Sequence, residues 1–194
     1  MSLRIEVAEL GLPALDALDV DALLVLVGPE RPLQALAGYA DWRLCGALSR
    51  AMRSGLFGAA PGEALLLPSG GRLRPARVFC IGLPAAALPP ASYPAVVRNA
   101  CGAVGRAGST AFASSLPPIE GGDAAVAARL WLEGSLSVPV ARQVLLGDAR
   151  TLHRDLLGAR ASASADVEVA LASARPEAPA RPARTGPPAG AVVR

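Results

Sequence analysis

Residues Ala22–Leu23–Leu24–Val25–Leu26–Val27 form an unbroken apolar run, preceded by Asp16, Asp19 and Asp21 and stopped by Gly28–Pro29. Apolar residues without alternation, bounded by turn residues, predict a strand buried on both faces. Such a strand sits inside a sheet that has helices above and below it. This one segment therefore points to a layered α/β domain.

The rest of the chain supplies the alternating elements such a domain needs. Leu3–Val7 alternates apolar and charged residues and reads as a short edge strand. Leu33, Leu36, Ala37, Ala40, Leu44, Ala47, Leu48, Ala51 and Met52 recur at helical spacing. Pro32 suits the first turn of that helix and Gly55 its end, with a kink allowed at Gly38. Ala64–Leu67 reads as a second buried strand, closed by Pro68–Ser69–Gly70–Gly71. Arg77–Gly82 reads as a third. The two strands flank a short turn like the arms of a hairpin, so the sheet is expected to be mixed. Tyr93–Arg106 predicts a helix of small residues packed closely on a sheet. The sequence then predicts a strand over Ser109–Ser114, a helix capped by Asp123 and a strand over Gln143–Leu146. A helix over Ala149–Leu157 and a last strand over Val167–Leu171 complete the order.

Composition limits the chemistry. Aromatic residues are 4% of the 194, so the core must be built from Leu, Val and Ala. All 19 basic residues are arginine. Without lysine, Schiff-base chemistry, a Walker-type phosphate lysine and a lysine general base are excluded. The formal charge of +3 is not spread evenly. Residues 172–194 hold Arg175, Arg181, Arg184 and Arg194 against Glu177, leaving 15 arginines and 15 acids in residues 1–171. The body is thus neutral, which disfavours nucleic acid as a partner. The segment 172–194 is Ala, Pro, Arg and Gly with five prolines, a composition expected to stay disordered. The expected division is a domain over 1–171 and a tail over 172–194. Cys45, Cys80 and Cys101 lie far apart, with no Cys-x-x-Cys pair to suggest zinc or a redox dithiol. The first ten residues lack the apolar stretch of a signal peptide, and no apolar run is long enough for a membrane span. A cytoplasmic location is the default expectation.

The most distinctive stretch is Asp41–Trp42–Arg43–Leu44–Cys45–Gly46–Ala47–Leu48–Ser49, followed by Gly55–Leu56–Phe57–Gly58 and Gly62–Glu63–Ala64–Leu65–Leu66–Leu67–Pro68. Gly71–Arg72–Leu73 and Val78–Phe79–Cys80–Ile81–Gly82–Leu83 come next. In order and spacing this resembles the N-terminal domain of the leucyl aminopeptidase family. That domain carries a Gly–x–Leu–Ser element on a helix, a Phe–x–Gly–x–x–Gly–Glu turn, and two strands, the second ending in Gly–Leu. The resemblance implies a three-layer α/β/α sandwich with a mixed central sheet, macro-domain-like. It also implies a location for the family's chemistry: a separate C-terminal domain whose metal site uses a lysine and an Asn–Thr–Asp–Ala–Glu–Gly–Arg motif. That motif does not occur here, no lysine is present, and no catalytic residue carries over. The expectation is a stand-alone, non-catalytic relative.

Candidate sites are few. Asp16, Asp19 and Asp21 lack the further ligands and closing glutamate of a calcium loop and read as solvated carboxylates. His153, the single histidine, sits among Arg150, Arg154 and Asp155 and reads as a surface residue. No metal, catalytic group or cofactor is expected. Gly70–Gly71 and Gly121–Gly122–Asp123 could bring backbone N–H groups close to a phosphate, although Asp123 would repel an anion. Gly102, Gly105 and Gly108 suit close helix packing rather than a dinucleotide fingerprint. Arg72, Arg74 and Arg77 read as a solvated basic turn. Trp42 and Arg43 lie off the apolar stripe of their helix and are candidates for a protein interface. Together these readings favour a domain acting by self-association, or by docking on a protein partner that could be a true aminopeptidase. Two alternatives stand beside it: a macro-like module binding an ADP-ribose-type nucleotide, and the accessory half of a split metallo-aminopeptidase.

Overall fold

The doubly buried strand over Ala22–Val27 (β2) lies inside a seven-stranded sheet, with one set of side chains on each face. Leu23, Val25 and Val27 point into one apolar core, while Ala22 and Leu24 point into the other. The computed structural model describes residues 3–161 and 166–172. The tail expected over 172–194 lies almost wholly outside these residues.

The strands are β1 (Leu3–Glu9), β2, β3 (Ala64–Pro68), β4 (Arg77–Gly82), β5 (Ala111–Ser114), β6 (Arg142–Gly147) and β7 (Val167–Leu171). Their order is β3-β4-β2-β5-β6-β1-β7. Only β3 runs antiparallel to its neighbour; every other pair is parallel, so the sheet is mixed as expected. Helices α1 (Leu12–Ala17), α2 (Ala35–Arg43) and α3 (Ala47–Arg53) cover one face. Helices α4 (Tyr93–Arg106), α5 (Ala124–Ser135) and α6 (Ala149–Arg160) cover the other. The result is the three-layer α/β/α sandwich.

The family-like motif residues prove to be fasteners of this fold. Gly46 takes a left-handed conformation (φ 77°) between α2 and α3 and, as N-cap of α3, has no side chain to offer the helix. Asp41 of α2 supplies the missing acceptor, taking the Ser49 N–H at 3.0 Å and the Ser49 hydroxyl. Phe57 is fully buried. The Glu63 carboxylate accepts from the N–H groups of Gly58 and Ala60 at 3.0 and 2.9 Å. Gly82 is seated directly on that loop: a β-carbon there would lie 2.1 Å from the Ala60 carbonyl oxygen. A polar pair fixes the other core. Fully buried Trp131 donates its indole N–H to the buried Gln143 Oε1 at 2.9 Å.

Four sequence expectations are corrected. β1 is not an edge strand; it lies between β6 and β7, and its alternation reflects Arg4 and Glu6 forming an ion pair, to which Arg142 also binds. β3 is not buried; it is the edge, with Ala64, Leu66 and Pro68 exposed. The helix expected from Pro32 starts at Ala35 and breaks at Leu44–Gly46 rather than at Gly38, whose lack of a side chain instead admits the Leu33 carbonyl oxygen. In the Gly102, Gly105, Gly108 series only Gly105 meets another element, the Val138–Val140 segment. Helix α1 has too few residues to show a period and escaped notice.

Candidate functional site

The two glycine turns lie at opposite ends of the sheet. Gly70 and Gly71 join β3 to β4 and therefore sit at the end where the parallel strands begin. Gly121 and Gly122 follow β5 and sit where the parallel strands finish. They do not form one cradle.

The finishing end is where open α/β sheets place ligands, at points where neighbouring strands feed helices on opposite faces. Here β6 leads to α6 on one face and its neighbour β1 leads to α1 on the other. A cleft of about 370 Å3 opens beside this point, lined by Leu116–Ile119, Gly122, Leu146–Asp148, Leu152 and Asp155 among others. Asp148 and Asp155 line it, and the polar groups at the helix starts around it suit an anion poorly. Asp123 caps α5 by accepting from Ala125 N and Val126 N at 2.9 and 3.1 Å. Asp148 caps α6 through Thr151 N at 2.7 Å, and Glu9 takes the Ala149 N–H at 3.0 Å. Hydrogen bonding to Thr151 holds the Asp148 carboxyl below its usual range, so it stays ionised. Helix N-termini that would attract a phosphate are thus already occupied by the chain's own carboxylates.

The second candidate region is the outer face of α2. Trp42 is 63% exposed and Tyr39, one turn earlier, 37%. Beside them lie two hollows that share Leu33, Gly38 and Trp42. One, of about 650 Å3, is bounded by Pro32, Asp41 and Ser49; the other, of about 620 Å3, by Leu10, Leu12 and Tyr39. The Arg43 guanidinium lies 5.0 Å from the centre of the Trp42 ring and pairs with Asp16 on α1. That pair stiffens an otherwise exposed indole.

The remaining candidates are dispersed. Asp16 is paired with Arg43. Asp21 accepts from Thr110 N, Thr110 Oγ1 and Ala111 N at 2.9 to 3.1 Å, which holds its carboxyl below the usual range. The Asp19 carbonyl accepts from Arg142. No group of three or more His, Cys, Asp or Glu side chains placed to hold a metal occurs among the described residues. His153 is half-buried on α6. Arg77 donates to the Ala107 carbonyl, while Arg72 and Arg74 are exposed. Cys80 and Cys101 are buried, and burial pushes both thiols up to about 12; Cys45 is exposed. The hollows beside Trp42 are not legible in the sequence, because Leu10 and Leu12 lie more than twenty residues before the helix they border, and Leu33 joins them only through the fold.

This architecture defines a class. The macro domain of ganglioside induced differentiation associated protein 2 aligns at a TM-score of 0.59 and 13% identity, over 79% of this chain and 82% of that one. The macrodomain of Thermus aquaticus DarG aligns at 0.50 and 13% identity, over 76% and 98%. A mutant form of tomato leucine aminopeptidase aligns at 0.55 and 18% identity, over 81% of this chain. The chain therefore has a macro-like α/β fold. Its sequence places it more narrowly: residues 24–137 match the N-terminal domain of the cytosol aminopeptidase family, and the chain belongs to that family. The match is to that domain and not to the family's catalytic one. The chain spans 35% of the tomato enzyme's length. No curated protein matches it in sequence, and no helix among the described residues is long and apolar enough to cross a membrane.

Proposed function

We propose that this domain is a non-catalytic association module that docks a protein partner on the outer face of α2. The observation that carries the reading is the exposed Trp42, with Tyr39 beside it and an apolar hollow on either side. Large exposed aromatics next to concave surface are the pattern of an interface anchor. Arg43 already restrains the indole, so less side-chain freedom is lost on docking. A chain that presents an apolar side chain to the Leu33–Gly38 hollow fits this surface, and a catalytic aminopeptidase subunit is one partner to test. Peptidase activity of the chain itself is not expected: the family match covers the N-terminal domain, and the sequence has no lysine to fill the family's catalytic lysine position.

The test is Trp42→Ala in the full chain. Complex formation in a native extract, followed by size-exclusion chromatography, should be lost with the variant. Iodide quenching of the Trp42 emission should fall when the complex forms. An unchanged elution profile with the variant would refute the reading.

The cleft beside β6 is the place where a second reading, a small-molecule site of macro type, would be tested. Its carboxylates argue against an anionic nucleotide. Calorimetry with ADP-ribose should therefore give no heat, and binding that survives physiological salt would restore that alternative.

A further inference from the structure

The sheet ends in an unprotected edge. β3 is its outermost strand, and the peptide groups facing away from β4 can be identified from the hydrogen bonds of β4. Gly82 N donates to Glu63 O at 2.9 Å, whereas Leu83 N donates to Val27 O of β2 at 2.8 Å. Peptide groups alternate in direction along a strand. In β4, then, residues 78, 80 and 82 face β3, and their partners are Leu67, Leu65 and Glu63. Ala64, Leu66 and Pro68 must turn their peptide groups outward. No bond outside the β3–β4 ladder satisfies these groups among the described residues.

The side chains on this edge reinforce the point. Leu65 and Leu67 pack on the α1–α3 side, but Leu66 is 53% exposed and Ala64 is exposed with it. Edge strands are ordinarily blunted by charge, a bulge or a covering element. From Ala64 to Pro68 there is no charge. Pro68 lies at an outward position, where its missing N–H removes only the last donor of the edge.

We propose that β3 is the seam of a two-fold homodimer, in which it pairs antiparallel with β3 of a second copy. A two-fold axis pairs a strand with itself antiparallel, so the surface is self-complementary by construction. The register that sets Leu66 opposite its own copy pairs every outward N–H of the strand. Each Leu66 N–H meets the other Leu66 carbonyl, and each Ala64 N–H meets the opposite Pro68 carbonyl; the Ala64 carbonyl, which faces the proline nitrogen, is the one outward group left to water. In this register the two half-exposed Leu66 side chains cover each other. Each Glu63 also comes across from the turn that carries the other copy's exposed Arg72 and Arg74. The charges are therefore complementary on both sides of the axis. A five-residue seam is small for a stable interface, so the dimer forms with rising concentration rather than being permanent. This surface is separate from the Trp42 face, which the dimer leaves free.

Sedimentation of the full wild-type chain over a concentration series tests the proposal. A monomer–dimer equilibrium is expected. Leu66→Lys sets like charges opposite each other and removes two buried leucines, so it should raise the dimer dissociation constant about 100-fold. Trp42→Ala should leave that constant unchanged, which separates this proposal from the docking role of α2. In a Cys45→Ser background, Leu66→Cys should oxidise to a covalent dimer, because directly opposed residues fall within disulfide reach. A wild type that stays monomeric at its highest soluble concentration would overturn the proposal. So would a dimer indifferent to Leu66→Lys, or a Leu66→Cys chain that fails to cross-link.

Discussion

Gly82→Ala offers the sharpest test of how the family-like motif works. The added β-carbon would lie 2.1 Å from Ala60 O and 2.5 Å from both Ala59 C and Ala59 O. Ordinary carbon–oxygen contacts begin near about 3.3 Å, so backbone must move away by about 1 Å. Both neighbours are main chain, and no rotamer change can relieve the clash. Overpacking of this kind costs about 1–3 kcal/mol. The shift also strains two bonds, Gly62 N to Gly82 O and Gly82 N to Glu63 O, both 2.9 Å. Each is worth about 1 kcal/mol net. The expected loss is about 4 kcal/mol, or a fall of about 8–16 °C in melting temperature for a chain of this length. Gly158→Ala is the control. Gly158 lies in α6 with nothing within 4 Å of the added carbon, so the same change should stabilise by about 0.5–1 kcal/mol. Urea unfolding of both variants measures the difference. If Gly82→Ala costs less than about 1 kcal/mol, the loop is not seated on Gly82 as described, and the motif needs another explanation.

Asp41→Ala removes the acceptor that caps α3 from a distance and should cost about 1–2 kcal/mol in urea unfolding, whereas Asp16→Ala, on the surface, should cost far less. Asp21 is hydrogen-bonded as a carboxylate, so its folded pKa lies below the unfolded one. Its contribution is present above about pH 4 and is lost as pH falls through the folded value; Asp21→Asn should flatten that part of the acid limb of the stability–pH curve. A thiol reagent should add once to the native chain, at Cys45, and three times after unfolding, since the sequence holds three cysteines and two are buried. Two rapid native additions, counted by mass spectrometry, would contradict the packing. Tyr93→Phe leaves the Pro117 carbonyl without its 3.0 Å donor and should lower stability by about 1–2 kcal/mol.

Much of the fold was legible because burial imposes simple patterns. β2 and β4 read as unbroken apolar runs because both faces of each are covered. The Asp123 cap was visible because a capping carboxylate must stand directly before its helix. The failures have physical causes as well. Ala64–Leu67 looked buried because an apolar run cannot distinguish a covered strand from an exposed edge. The break at Gly46 was misplaced to Gly38 because both are glycines in a helical pattern, and only three-dimensional packing shows which one adopts positive φ. The Trp42 candidate came from its position off the apolar stripe. The hollows around it are assembled from Leu10, Leu12 and Leu33, whose proximity no local pattern records. The Glu9 carboxylate at the start of α6 was equally hidden, since it reaches a helix that starts 140 residues later.

The place of β1 has a consequence for how the chain assembles. The first strand pairs only with β6 and β7, the last two. The block β2–β5 can form its own four-stranded sheet from residues 22–114, but β1 has no partner until residues 142–171 have been synthesised. During translation the N-terminal strand, with Ile5 and Val7 destined for the core, must remain unpaired while most of the domain is already folding. Arg4 and Glu6, which alternate with those residues, keep that waiting segment charged and so unattractive to other unpaired strands. The arginine–glutamate pairing seen in the finished sheet is thus also a safeguard for the interval before the sheet exists.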